Sequence, residues 1–297
     1  MKQVIWKHKK WFGYALYCLL ITMALLVYRF PSDALRDYLK ATLVKINPQI
    51  HLSIGKVSPS FPFGMKFMET QLSLKEKQET VLFRADRLFI RPDIWSLIQG
   101  QSNYGFKCLA YGGILEGRIH FLKNRLGTPF TTSMTLKNIR IDNTFLPHII
   151  DRHLEGILEG TIEYEGQDKF LRDGTGEANL KLSYVRIDLL QPLLGLESVD
   201  LKELLIKMVL KKKIIDLSNV ELKGGSMHGT LSGFVRLKEE FLKSDLDLRG
   251  TIEPFADLFK KLERYGNRIQ SFRQRLKRGK LSFIIRGTIG GPKIQLI

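Results

Sequence analysis

The residues of this chain that could do chemistry are scattered. Histidines stand at His8, His51, His120, His148, His153 and His228. The closest two, His148 and His153, are five apart, a spacing that does not stack two imidazoles on one helix face as a metal pair requires. The chain contains no HExxH, GxSxG or P-loop sequence and no GxGxxG after a strand, so the residue sets for zinc hydrolysis, serine acyl transfer and nucleotide binding are missing. Asp245 and Asp247 share one strand parity and could serve as paired carboxylates or cation ligands. They alternate with Leu246 and Leu248, however, which is the pattern of a solvated sheet face. Lys211–Lys213 reads as a charged hairpin turn that discourages strand mispairing. The Ser58–Phe63 run, rich in serine and proline, is a turn-forming segment. No catalytic residue, cofactor or metal is expected, and the chain reads as non-enzymatic.

The two cysteines, Cys18 and Cys108, form no CxxC motif, and Cys18 lies in the most hydrophobic stretch, so no intramolecular disulfide is expected. That stretch, Trp11 to Phe30, is broken only by Gly13, Thr22 and Arg29. Twenty helical residues span about 30 Å, the thickness of a bilayer's hydrocarbon core. Trp11, Phe12 and Tyr14 open the segment, and Tyr28 and Phe30 close it, as in an aromatic belt. Lys2, Lys7, Lys9 and Lys10 precede it and favour a cytoplasmic N-terminus. A cleaved signal peptide would have a shorter apolar region than this one. The sequence thus predicts a single-pass inner-membrane anchor over 11–30, a cytoplasmic N-terminus over 1–10 and an exported remainder.

The formal net charge is +17. Such a balance suits nucleic acid or anionic lipid headgroups. With most of the basic residues in an exported domain, nucleic acid is not an expected partner.

Ser32 and Asp33 after Pro31 make a helix start. Leu35, Leu39, Thr42, Leu43 and Ile46 follow on one face, so 31–48 is predicted to be a stalk helix that lies on the membrane or caps the domain over 49–297. Beyond Pro48 the hydrophobic period changes to two. Tyr104, Phe106, Cys108 and Ala110 alternate with Gly105, Lys107 and Leu109. Similar runs lie over 115–121, 158–164, 246–252 and 281–289, about a dozen in all. Alternation of this kind predicts antiparallel sheet with one dry and one wet face. Gly-Thr-Ile/Leu recurs at Gly160, Gly229, Gly250 and Gly287 with irregular spacing; glycines in strands allow bulges and coiling, but this is no fixed-period solenoid. Helical inserts are predicted at Pro92–Gln99, Phe145–His153, Leu189–Leu196 and, longest, Pro254–Phe272. From Phe255 to Lys280 there are nine basic residues against two acids. Lys260, Lys261, Arg264, Arg268, Arg273 and Arg275 make this segment a candidate for membrane or partner contact, beside its plainer reading as a helix packed on the core.

The order of these features resembles a known family. Phe61-Pro-Phe-Gly-Met65 opens a strand in the manner of AsmA-like proteins. The chain ends in Leu248-Arg-Gly-Thr-Ile-Glu-Pro254, a helix, and Phe283-Ile-Ile-Arg-Gly-Thr-Ile-Gly-Gly-Pro292, as in the type II secretion system protein N (general secretory pathway protein N) family, which is related to AsmA. The resemblance implies a mainly β protein: an elongated, curled antiparallel sheet with short helical inserts behind a transmembrane helix. It implies an inner-membrane-anchored periplasmic component of a type II protein secretion system, with secretion-system proteins as partners. The alternative it implies is an AsmA-like groove that binds or transfers phospholipid in support of the outer membrane. The shared strand parity of Leu158, Ile162, Tyr164, Leu246, Leu248, Ile252, Phe283 and Ile285 makes them the candidate apolar groove lining. The open question is whether such a groove stays open or is filled by its own side chains.

Overall fold

The alternating runs become strands in a computed structural model that describes residues 11–18, 20–22, 25, 28–46, 50–61, 63–74, 81–122, 129–144, 146–147, 153–166, 173–193, 196–225, 227–254 and 279–297. Fourteen strands pair strictly in chain order, each antiparallel to the next, in one sheet whose first and last strands do not meet. They are β1 Ile50–Ser60, β2 Gly64–Leu74, β3 Val81–Pro92, β4 Ser102–Ala110, β5 Gly113–Phe121, β6 Phe130–Arg140, β7 Leu154–Gly166, β8 Thr175–Leu193, β9 Leu196–Lys211, β10 Ile214–Lys223, β11 Met227–Arg236, β12 Asp245–Pro254, β13 Leu281–Thr288 and β14 Gly291–Leu296. At 4.7–4.9 Å between neighbours, fourteen strands extend roughly 60 Å along the sheet.

Turn chemistry keeps consecutive strands adjacent. Between β9 and β10, Lys212 and Lys213 both take positive φ (47° and 67°), as a two-residue hairpin that follows the sheet twist requires. The lysine run is therefore a turn, and Lys213 pairs with Asp173 at 3.3 Å.

Helix α1, Ser32–Ile46, lies within the predicted stalk, with Asp33 in its first turn. It is packed on the sheet: Leu35 and Leu39, with Phe30, contact the buried cluster Ile54, Val57 and Phe67. Helix α2, Ile94–Ile98, falls inside the predicted insert at 92–99, and Asp93 caps it by accepting from the backbone N–H groups of Trp95 and Ser96. The helix predicted at Leu189–Leu196 is instead extended chain: β8 runs to Leu193, and β9 begins at Leu196 and pairs with it. A short apolar run carries no period that separates helix from buried strand, and here the ladder between β8 and β9 decides it. Of the insert predicted at Phe145–His153, residues 146–147 are described in a helical turn and His153 outside any helix, immediately before β7. The segment 255–278, with Lys260, Lys261, Arg264, Arg268, Arg273 and Arg275, lies outside the described residues.

The described residues between Trp11 and Tyr28 are helical, and their side chains are exposed. Among the described residues no helix is long and apolar enough to cross a membrane; the predicted span over 11–30 is described only in part.

Candidate functional site

Register, more than any one strand, makes the main surface feature. Following directly paired residues from one edge of the sheet to the other gives Val57, Phe67, Leu88, Cys108, Leu115, Leu136 and Gly160. The row continues through Leu180, Ile206, Val220, Leu231, Gly250, Phe283 and Leu296. Every member is apolar or glycine across all fourteen strands. The adjoining row on the opposite face reads Ser58, Lys66, Phe89, Lys107, Glu116, Thr135, Thr161, Asn179, Lys207 and Asn219. One face of the sheet therefore carries an unbroken apolar row, and the other is largely wetted.

The candidate lining residues all fall on the apolar face. Leu158 and Ile162 stand opposite Leu182 and Ala178, and Tyr164 opposite Gly176. Leu246, Leu248 and Ile252 stand opposite Gly287, Ile285 and Leu281, with Phe283 beside Gly250. The register shared by β7 to β13 joins the two groups into one surface. Leu248 is buried and the other seven are partly buried.

Ile141, Leu182, Val185 and Leu201 are buried together, with Leu182 and Val185 on β8 and Leu201 on β9. Leu182 and Val185 are three apart, as are Leu136 and Ile139, and Leu217 and Val220. Register shifts at Leu136/Ile139 and Leu217/Val220 insert one extra residue, so both flanking side chains return to the apolar face. Tyr184, at φ 55°, is the extra residue between Leu182 and Val185, and its ring is thrown outward to 79% exposure.

An aromatic ladder crosses the apolar face over β4 to β7. Tyr104 and Phe121 are 5.9 Å apart edge to face, Phe121 and Phe130 6.2 Å, and Phe130 and Tyr164 5.8 Å between centroids. Such pairs add to the burial of their own area. Phe130 was not legible as part of this set from its own strand. The signal is across the ladder, where Gly166 leaves room for its ring. Burial, and then the charge of Asp173, push the Tyr164 hydroxyl above its ordinary pKa.

On the polar face a concavity of about 990 Å³ opens over β3 to β9. Its floor follows another transverse row: Arg91, Gly105, Arg118, Ser133, Glu163 and Glu177. Along this row two arginines stand on one side and two glutamates on the other, with Ser133 between them. At its rim the Asn103 amide donates to Ser96 Oγ at 2.8 Å, and Ser96 Oγ to Asp93 Oδ2 at 2.9 Å. His120 Nδ1 closes the chain against Asn103 Oδ1. The hydrogen bond from Ser96, with the backbone donors of α2, holds the Asp93 carboxyl below its usual range. Asp93 accepts from Ser96 Oγ and from the first backbone N–H groups of α2, so these hydrogen bonds form a helix cap that Asn103 and His120 extend.

The other polar candidates are dispersed. Asp245 pairs with Lys238 at 2.8 Å and Asp247 with Arg286 at 3.5 Å, each on the wetted face. His153 pairs with Glu155 at 2.7 Å. Among the described residues no three His, Cys, Asp or Glu side chains converge as a metal site. Compared with known proteins, the chain matches no family, no curated sequence and no solved structure.

Proposed function

We propose that this chain is anchored in the bacterial inner membrane by residues 11–30, with residues 1–10 cytoplasmic and the sheet in the periplasm. There the apolar face shelters the acyl chains of phospholipid during their passage toward the outer membrane. The observation that carries this reading is the apolar row running unbroken from Val57 to Leu296. Apolar area repeated over so many strands costs free energy in water and is lowered by any apolar cover. Acyl chains suit it because the face has a long transverse continuity and few polar anchors to select a head. The role of a secretion-system component, with other secretion proteins as partners, rests on the residues that carry the resemblance and on no further geometry. Neither role assigns a reaction to the chain.

The test uses the full chain, purified gently and analysed for bound lipid by native mass spectrometry. Phospholipid should accompany the wild type and the variant Thr161→Glu, whose new charge stands on the wetted face. It should be lost from Ile162→Glu, one residue along the same strand on the apolar face, with circular dichroism unchanged. A wild-type protein free of lipid overturns the lipid reading.

A further inference from the structure

The joint between the N-terminal segment and the sheet has a definite place. Helix α1 has fifteen residues and so spans about 22 Å. It connects to β1 through residues 47–49 and packs against that strand, so the two run antiparallel. At about 3.3 Å per strand residue, its first turn lies level with a position some seven residues into β1. That is Val57, and Phe30 does pack against the cluster of Ile54, Val57 and Phe67, together with Met65 and Ile90. Met65 and Ile90 are paired residues one step from the turn between β1 and β2. The apolar segment that ends at Tyr28 therefore joins the sheet at the end where β1 turns into β2 and β3 runs into α2.

That same end carries exposed apolar side chains. Phe61, in the β1–β2 turn, is 81% exposed and Phe63 55%. Helix α2 buries only Ser96, leaving Trp95 76% and Ile98 72% exposed, with Ile94 and Leu97 beside them. Soluble surfaces seldom gather a Trp, two Phe and an Ile at neighbouring tips, whereas interfacial segments place such side chains at headgroup level. Exposed Arg29, Arg91 and Arg118 flank the tips and suit anionic headgroups.

We infer that the Phe61–Phe63 turn and helix α2 form a membrane-contacting edge, which inserts into the interface of the same bilayer that holds the N-terminal segment. The inference rests on the anchored reading above and adds an orientation to it. The turn end of the first two hairpins faces the lipid, and the sheet leaves the membrane from that edge. A grip at the joint and a second one at α2 fix the sheet against rotation about its anchor.

Tryptophan fluorescence tests this on the full chain, whose tryptophans are Trp6, Trp11 and Trp95. Trp6→Phe with Trp11→Phe leaves Trp95 as the only reporter, and Trp95→Phe leaves the two in the N-terminal segment. Both variants are reconstituted into vesicles of phosphatidylethanolamine and phosphatidylglycerol, with and without a lipid brominated near the headgroup end of its acyl chains. Interfacial side chains reach about 5–10 Å into the headgroup boundary, so Trp95 should lose about half its emission to bromine. Quenching of Trp6 and Trp11 with Trp95 untouched overturns the edge and leaves the anchor standing. Quenching of neither overturns both, and quenching of Trp95 alone keeps the edge while removing the anchor.

Discussion

The ring of Phe283 on β13 lies across Gly250 on β12. A Cβ added at that glycine would fall inside contact distance of the ring and 2.8 Å from the carbonyl oxygen of Thr230 on β11. Glycine is there to make space for the neighbouring strand's aromatic ring, as Gly117 is for Phe106 and Gly166 for Phe130. Gly250→Ala must move both the ring and the neighbouring backbone, and overpacking of this kind costs about 1–3 kcal/mol. A urea titration should show the midpoint falling with the slope unchanged; an unaltered midpoint would mean that ring and strand both shift at no cost.

Glu163 on β7 and Glu177 on β8 are directly opposed, and neither has an ion pair among the described residues. Like charges facing each other across a ladder are destabilising. Glu177→Lys should therefore raise stability by about 0.2–1 kcal/mol, the usual worth of an opposite-charge cross-strand pair. The gain should shrink in high salt, because the pair is exposed. A loss of stability would show that the acids are matched by a group beyond the described residues.

Three carboxylates on the wetted face are held below their ordinary pKa, each chiefly by a lysine that donates to it. Glu116 accepts from Lys137, Glu203 from Lys181 and then Lys223, and Glu253 from Lys280. A depressed folded-state pKa adds stability above the unfolded value, and that stability is lost as pH falls through the folded one. Urea midpoints should thus hold near neutral pH and decline as these carboxylates protonate below about pH 4.5. All three are partly exposed, so added salt should lessen the decline.

Cys108 is buried in the apolar row, and burial, followed by the charge of Asp86, pushes its thiol up to about 11. A raised pKa keeps the neutral thiol in the folded protein. The associated stability is complete below the unfolded value and is lost as pH rises toward 11. Maleimide at about pH 8 should leave Cys108 unmodified until urea unfolds the sheet, since the thiolate is the reacting form. Peptide mass spectrometry of the labelled chain reads this directly, and rapid labelling of the native protein would contradict the burial.

Much of this protein was legible one strand at a time. Alternation from Tyr104 to Ala110, and again from Leu246 to Ile252, fixed strand identity and the side each residue faces, because a side chain in extended chain has no other freedom. The polar destiny of Asp245 and Asp247 followed from the same parity. The stretch Leu189–Leu196 misled because a brief apolar run lacks a period, and only its partner strand made it extended. Leu136 with Ile139 and Leu182 with Val185 broke the parity, since a bulge is set by two strands together.

The sequence by itself determined that the described domain is antiparallel sheet with one dry face, and it marked the apolar stretch at the N-terminus. Both are local patterns, written in consecutive residues. Only the tertiary structure decided that thirteen separate pairings align, bulges included, so that short stripes add up to a single row from Val57 to Leu296. It also decided that α1 folds back along β1 and so brings Phe30 near the turn carrying Phe61. Register and the return of a helix are contacts between residues far apart in the chain, and a reading of neighbours along the sequence contains neither.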